Sequence, residues 1–182
     1  MAIGIRAKRA DAGHDPAASR FFGAPALPLS WEGDYGDDEI FFCQIRLSDI
    51  APLDTEGRLP HTGCLYVFLH TAGGDYALTA DVRYYDGEPT LVVDDFNAAV
   101  EGYEDCCDAY LMEFYETDDA DVCTRLFGEP SDWNYEDAPP RLFLQFDPLD
   151  SEMGFLDHLD GFLYFFFDGN DPSRIILHEE FS

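Results

Sequence analysis

Phe22-Gly23-Ala24-Pro25, then Trp31, then Phe41-Phe42-Cys43-Gln44-Ile45, then Gly63-Cys64-Leu65-Tyr66-Val67-Phe68-Leu69: this order of features decides the fold, because the chain uses it twice. Its second use runs Phe127-Gly128-Glu129-Pro130, Trp133, Leu142-Phe143-Leu144-Gln145-Phe146 and Gly161-Phe162-Leu163-Tyr164-Phe165-Phe166-Phe167. The displacement is 105 residues from Gly23 to Gly128, 101 from Gln44 to Gln145 and 98 from Gly63 to Gly161, a drift that small deletions in loops produce. Both tryptophans of the chain take the same slot, so the pattern reads as an internal duplication.

Each unit holds short apolar runs rich in β-branched and aromatic residues, bounded by Gly, Pro and Asp, which are strand signals. The 10 to 15 residue helical patterns of a parallel sheet are few, so the sheet is expected to be mainly antiparallel. Helical signals are local. Asp118-Asp119 ahead of Ala120 to Phe127, closed by Gly128, predicts one short helix. A turn capped by Ser48 or Asp49 is expected at Ser48-Asp49-Ile50, and another at Phe96 to Val100. Gly73-Gly74-Asp75 and Asp86-Gly87 read as turns, the second joining Val82-Tyr85 to Thr90-Val93 in a hairpin. The expectation is an α+β fold of two related, mainly antiparallel β lobes with a few short helices: an N-terminal segment 1–14, a first half 15–100 and a second half 101–182, one compact domain overall.

The 182 residues carry 38 acidic and 10 basic side chains, a formal net charge of −28. Lys8 is the only lysine. Binding to nucleic acid or to an anionic membrane needs a cationic footprint that this chain lacks. Its 46% hydrophobic and 15% aromatic content is that of a folded protein, not of an acidic disordered tail. Five cysteines without a CxxC pair, and a start with no apolar run after its basic residues, predict a reduced cytoplasmic protein. No apolar run approaches the ~20 residues that span a bilayer.

The residues also resemble a family. Ser19 to Pro25 with Leu27-Pro28, Phe42-Cys43-Gln44-Ile45-Arg46-Leu47-Ser48-Asp49-Ile50, Leu142 to Asp147 and Gly161 to Phe166 are similar, in that order, to motifs of the YwqG-like proteins, a bacterial group catalogued as a domain of unknown function. The chain departs from that pattern at His158-Leu159-Asp160-Gly161, where the family carries Gly-Asp-x-Gly. The resemblance implies an α+β fold of two related halves with no established catalysis, and some relatives look like immunity proteins beside secreted toxins, nucleases among them.

Charge is unevenly placed. Residues 84 to 124 hold 13 acids and neither Lys nor Arg. The candidate partner-binding residues are Glu101, Glu104, Asp105, Asp108, Glu116, Asp118, Asp119 and Asp121, with Tyr110 and Tyr115 as aromatic anchors. Such a surface suits a basic partner, because complementary charge steers encounter and tyrosine supplies contact area at low entropic cost. The bland reading is a solvated or salt-adapted surface. The reading adopted is a non-enzymatic immunity protein for a cognate basic toxin, a nuclease being one candidate. The alternative is a metal-dependent or small-molecule enzyme using Asp147, Asp150, Asp157, His158 and Asp160 between the halves. No catalytic residue, metal ligand set or cofactor is assigned. Asp168 to Glu179 has the length of a calcium loop but Ser173 where a glycine is needed, and the five histidines form neither HExxH nor a pair with CxxC. GxSxG, SxxK and glycine-rich phosphate loops are missing.

Overall fold

The computed structural model describes residues 1–36, 38–71, 78–100, 103, 106–118, 122, 124–131, 140–148, 153, 161–168 and 174–179. Twelve strands account for nearly all its regular structure: β1 Ala2–Arg9, β2 Arg20–Phe21, β3 Ala26–Leu27, β4 Glu39–Arg46, β5 Cys64–Thr71, β6 Leu78–Tyr85, β7 Leu91–Val92, β8 Tyr110–Thr117, β9 Arg125–Leu126, β10 Leu142–Phe146, β11 Leu163–Phe167 and β12 Ile175–Glu179. Ten of them form one antiparallel sheet in the order β12-β11-β10-β9-β1-β8-β2-β4-β5-β6, while β3 pairs with β7. The two edge strands, β6 and β12, lie beside one another, so the sheet curls into a nearly closed barrel.

That order is a palindrome. Read from either end, each strand meets its counterpart from the other copy, and the centre falls between β1 and β8, where Arg6 pairs with Glu113 in register. The halves exchange their first strands there: β1 pairs with β9 of the second copy and β8 with β2 of the first. The α+β expectation of two lobes is therefore overturned. Among the described residues the helical content is one four-residue helix, α1 Leu47–Ile50, and two three-residue 3₁₀ turns, and the strand exchange fuses both copies into a single sheet.

Three local expectations also change. Arg125–Leu126 is a strand, and Phe127 and Gly128 have φ of 63° and 83°, so the glycine closes a left-handed turn after a strand rather than capping a helix. The Val82–Val93 hairpin does not form, because β6 pairs with β5 and β7 turns to β3. The turn at 47–50 is present without a side-chain cap, and the expected turn at Gly73-Gly74-Asp75 lies outside the described residues.

Backbone and side-chain bonds repeat with the motifs. Phe22 N–H donates to Phe42 O at 2.9 Å and Phe127 N–H to Phe143 O at 3.0 Å. Arg46 N–H donates to Ser19 Oγ at 2.9 Å, as Asp147 N–H does to Thr124 Oγ1 at 3.1 Å. Arg20 faces Gln44 in register and Arg125 faces Gln145. A bulge interrupts β4 between Phe41 and Cys43 and β10 between Leu142 and Leu144. Gly23 lies so close to Ala109 that a Cβ would meet its Cβ at 2.7 Å, and Gly128 meets Ala2 likewise at 3.1 Å.

The interior is aromatic and drawn from both copies. Phe42 packs edge-on against Phe146 with ring centroids 5.1 Å apart, and Phe21 also lies 5.1 Å from Phe146. All of β4 but its last residue is buried, because its outer face is covered too: Phe41, Tyr66 and Phe68 pack beneath Leu27, Trp31 and Phe96. Gln44 ties that cover down, accepting from Ala26 N–H at 3.1 Å and donating to Pro16 O at 3.0 Å and Ala18 O at 2.9 Å. Gln44→Leu keeps the side-chain volume but strands three backbone groups, so urea unfolding is expected to show a loss of about 3 kcal/mol.

Across the seam, Leu78 N–H donates to a Glu179 carboxylate oxygen at 2.6 Å. Burial raises the pKa of Glu179 above the ordinary carboxyl value, against the opposing pull of the Leu78 N–H and of His178. A carboxyl whose folded pKa exceeds its unfolded one costs stability while ionised, and that cost fades as pH falls through the folded value. Glu179→Gln retains an acceptor without the charge. It is expected to raise Tm at neutral pH, with the gain shrinking to nothing near the unfolded pKa of about 4.3 in a pH series of thermal melts.

Candidate functional site

The acid-rich segment becomes β8 and its flanks. Alternation along a strand sends neighbours to opposite faces, and the partner strand β1 carries the densest group of cations in the chain, Arg6, Lys8 and Arg9. Arg9 Nη2 donates to Asp108 at 2.5 Å, which raises the arginine's pKa, first through the hydrogen bond and then through the charge of Asp108. Arg6 lies 3.6 Å from Glu113 and stacks 5.2 Å from the centre of the Tyr115 ring, which itself lies across Gly4. Tyr110 is half-buried and packs on the core. Glu116 and Asp118 are exposed. Glu101, Glu104, Asp105, Asp119 and Asp121 lie outside the described residues.

Of the alternative enzyme set, Asp147 is buried just past β10, and Asp150, Asp157, His158 and Asp160 lie outside the described residues. Among the described residues no group of three or more His, Cys, Asp or Glu is arranged to hold a metal ion, and no helix is long and apolar enough to cross a membrane. Cys43 is fully buried and burial pushes its thiol pKa up, which suits packing and not nucleophilic attack.

Next to Asp108 the surface opens into a cleft that the sequence did not announce. A cavity of ≈ 390 Å³ lies among Gly23, Ala24, Asp94, Asp95, Asn97 and Cys107. A second, of ≈ 360 Å³, shares Gly23, Ala24, Asp94 and Cys107 with it and reaches Arg9, Asp11, His14 and Arg20. Asn97 fixes one wall: its Oδ1 accepts from Phe41 N–H at 2.7 Å, and its Nδ2 donates to Phe41 O at 2.9 Å and Cys106 O at 3.1 Å. Asp95 sits beside it at φ 58°, a left-handed conformation that aspartate tolerates better than most residues.

Arg20 is buried at 1% exposure. It donates Nη1 to Pro16 O and Nη2 to Ala24 O, so it braces the loops on both sides of β2. Desolvation lowers its pKa to about 10, which leaves it charged at neutral pH. The repeat holds the signal for this residue: Arg20 and Arg125 precede their Phe-Gly pairs at the same spacing of 105 residues. Asp94 and Asp95 carry no comparable mark in the sequence.

Removing the exposed Arg9 to Asp108 pair by Asp108→Ala is expected to leave the urea unfolding midpoint unchanged, so binding defects of that variant are readable without a folding defect. No catalogued protein family matches the chain, and no curated protein matches it.

Proposed function

We propose that this is a cytoplasmic, non-enzymatic binding protein of the YwqG-like group, an immunity protein that covers the active surface of a cognate basic toxin such as a nuclease. The observation that carries the reading is the set of exposed carboxylates at the cleft and along β8, of which Asp108 and Glu113 alone have a cation partner among the described residues. Asp94, Asp95 and Asp108 at the cleft are followed by exposed Glu113, Glu116 and Asp118 on one strand and its end. Much of the chain's scarce positive charge is used internally. Arg46 bonds Asp15 and Asp49, Arg58 bonds the buried Asp54, and Arg83 bonds Glu39 and Asp81. These side chains hold loops and strands together, and only Arg6 and Arg9 pair with carboxylates of β8 and its flank among the described residues.

A net charge of −28 focuses a field that accelerates encounter with a cationic surface, and a protein that covers a phosphate-binding face needs no chemistry of its own. Tyr115, stacked against Arg6 over Gly4, offers a rigid flat ring on the same strand.

The test is capture of partners from a lysate of the source cells with the tagged chain, washed at low and at high salt, followed by rate measurements on the partner recovered. Glu116→Lys with Asp118→Lys is expected to slow association at least tenfold in low salt, with the difference collapsing near 1 M salt. An unchanged association rate removes the end of β8 from the interface. A clean bait removes the immunity reading.

A further inference from the structure

The ten-stranded sheet closes on itself without a ladder at its last joint. β6 pairs only with β5 and β12 only with β11, and among the described residues no backbone bond joins the two edges. One bond bridges them, from Leu78 N–H to the Glu179 carboxylate at 2.6 Å. Backbone groups along a strand face alternate edges, so Ala80, Val82 and Tyr84 turn their N–H and C=O to the same side as Leu78. A single side chain at one end of the seam therefore replaces the run of ladder bonds found at every other joint.

The two edge strands are not equally held. β6 pairs with β5 over eight residues and buries Leu78 and Val82 in the core. β12 pairs with β11 over five residues and has no fully buried residue: Ile175 and Leu177 are half-buried against the core, and Ile176 is 54% exposed. Its neighbour β11 is buried at all five positions. A strand with one ladder and few buried atoms is the kind of element that opens ahead of the global transition.

The surroundings of the Glu179 carboxylate favour its neutral form. β6 brings Leu78, Ala80 and Val82 to the core face, none of them ionisable, while its Asp81 and Arg83 bond one another on the opposite face over the Phe68 ring. β11 sets Leu163 opposite Glu179 in register. The segment before β8 contributes Tyr103, buried and within reach of the Glu179 charge, and Glu101 and Glu104 near it in sequence lie outside the described residues. Burial raises the pKa of Glu179 against the pull of the Leu78 N–H and of His178 on its own strand.

We propose that β12 is a latched flap: the bond from Leu78 to Glu179 holds it against β6, and ionisation of the Glu179 carboxyl releases it, opening the barrel along the seam while the rest of the sheet stays folded. In the open flap Glu179 reaches water and titrates near the ordinary value of ~4.3. In the shut flap it keeps its proton to a higher pH. Opening therefore grows as pH rises from the open-state value through the shut-state one, and levels off above it. In acid the flap is shut. The device is independent of the immunity reading, because it uses no residue of β8 or of the cleft.

The test is native-state hydrogen exchange of the full chain, read residue by residue by NMR and corrected for intrinsic exchange rates. At neutral pH the amides of Leu78 and of the β12 ladder are expected to be at least about tenfold less protected than those of the β1 to β8 ladder, through an opening that low urea barely changes. Between about pH 4.5 and about pH 7.5 their protection is expected to fall at least about threefold. Glu179→Gln keeps an acceptor for Leu78 but cannot ionise, and it is expected to abolish that fall. Equal protection of the two sets of amides, protection at the seam that ignores pH, or a pH response that survives Glu179→Gln overturns the proposal.

Discussion

The exchange of first strands across the pseudo-dyad is the constraint on which this structure rests. Neither copy can complete its own sheet, because β2 needs β8 on its open side and β9 needs β1. The pairing of β1 with β8 over eight residues then joins what would otherwise be two open five-stranded sheets. Edges are a liability in any β protein, and the exchange buries two of four. The other two come together at the β6 to β12 seam, where a carboxylate stands in for a strand carbonyl.

Given that sheet, the polar residues inside the repeat have a mechanical role. Each copy presents an arginine and a glutamine in register on neighbouring strands, and these side chains satisfy the backbone of the loops that cross the outer face. Buried backbone groups must find partners, and loops without ladders find few. The glutamine supplies an acceptor and two donors at one point, which is why it sits in strands that otherwise read as wholly apolar. Duplication then allowed the copies to diverge. The second has a serine beside its arginine where the first has Ala26.

The sequence carried the repeat, the strand character of Phe41 to Ile45 and Leu142 to Phe146, and the antiparallel sense. It did not carry the partnership of strands, because β1 and β8 pair across more than a hundred residues and no local pattern encodes that register. The segment ending Arg125-Leu126-Phe127-Gly128 mimics a helix end, since carboxylates before an apolar stretch and a glycine after it serve a strand followed by a left-handed turn equally well. The strand at Leu91–Val92 is legible in the sequence but its partner is not: two residues have little preference of their own, and tertiary contact with β3 decides. The acidic block was plain in composition. The pairing of two of its acids, Glu113 and Asp108, with Arg6 and Arg9 was not, because those cations lie about a hundred residues away in the chain.

The same exchange has a kinetic side. β1 is made first, yet its ladder partners are residues 110 to 117 and 125 to 126, so the opening strand stays single until the second copy has been synthesised. Contacts this distant in sequence raise the entropic barrier to nucleation and slow the search for the native topology. During that interval the nascent chain exposes aromatic strands that are prone to stick to one another. The strong like-signed charge of the intervening segments opposes such association. The acidity of the chain thus also acts as a guard against aggregation while folding is under way.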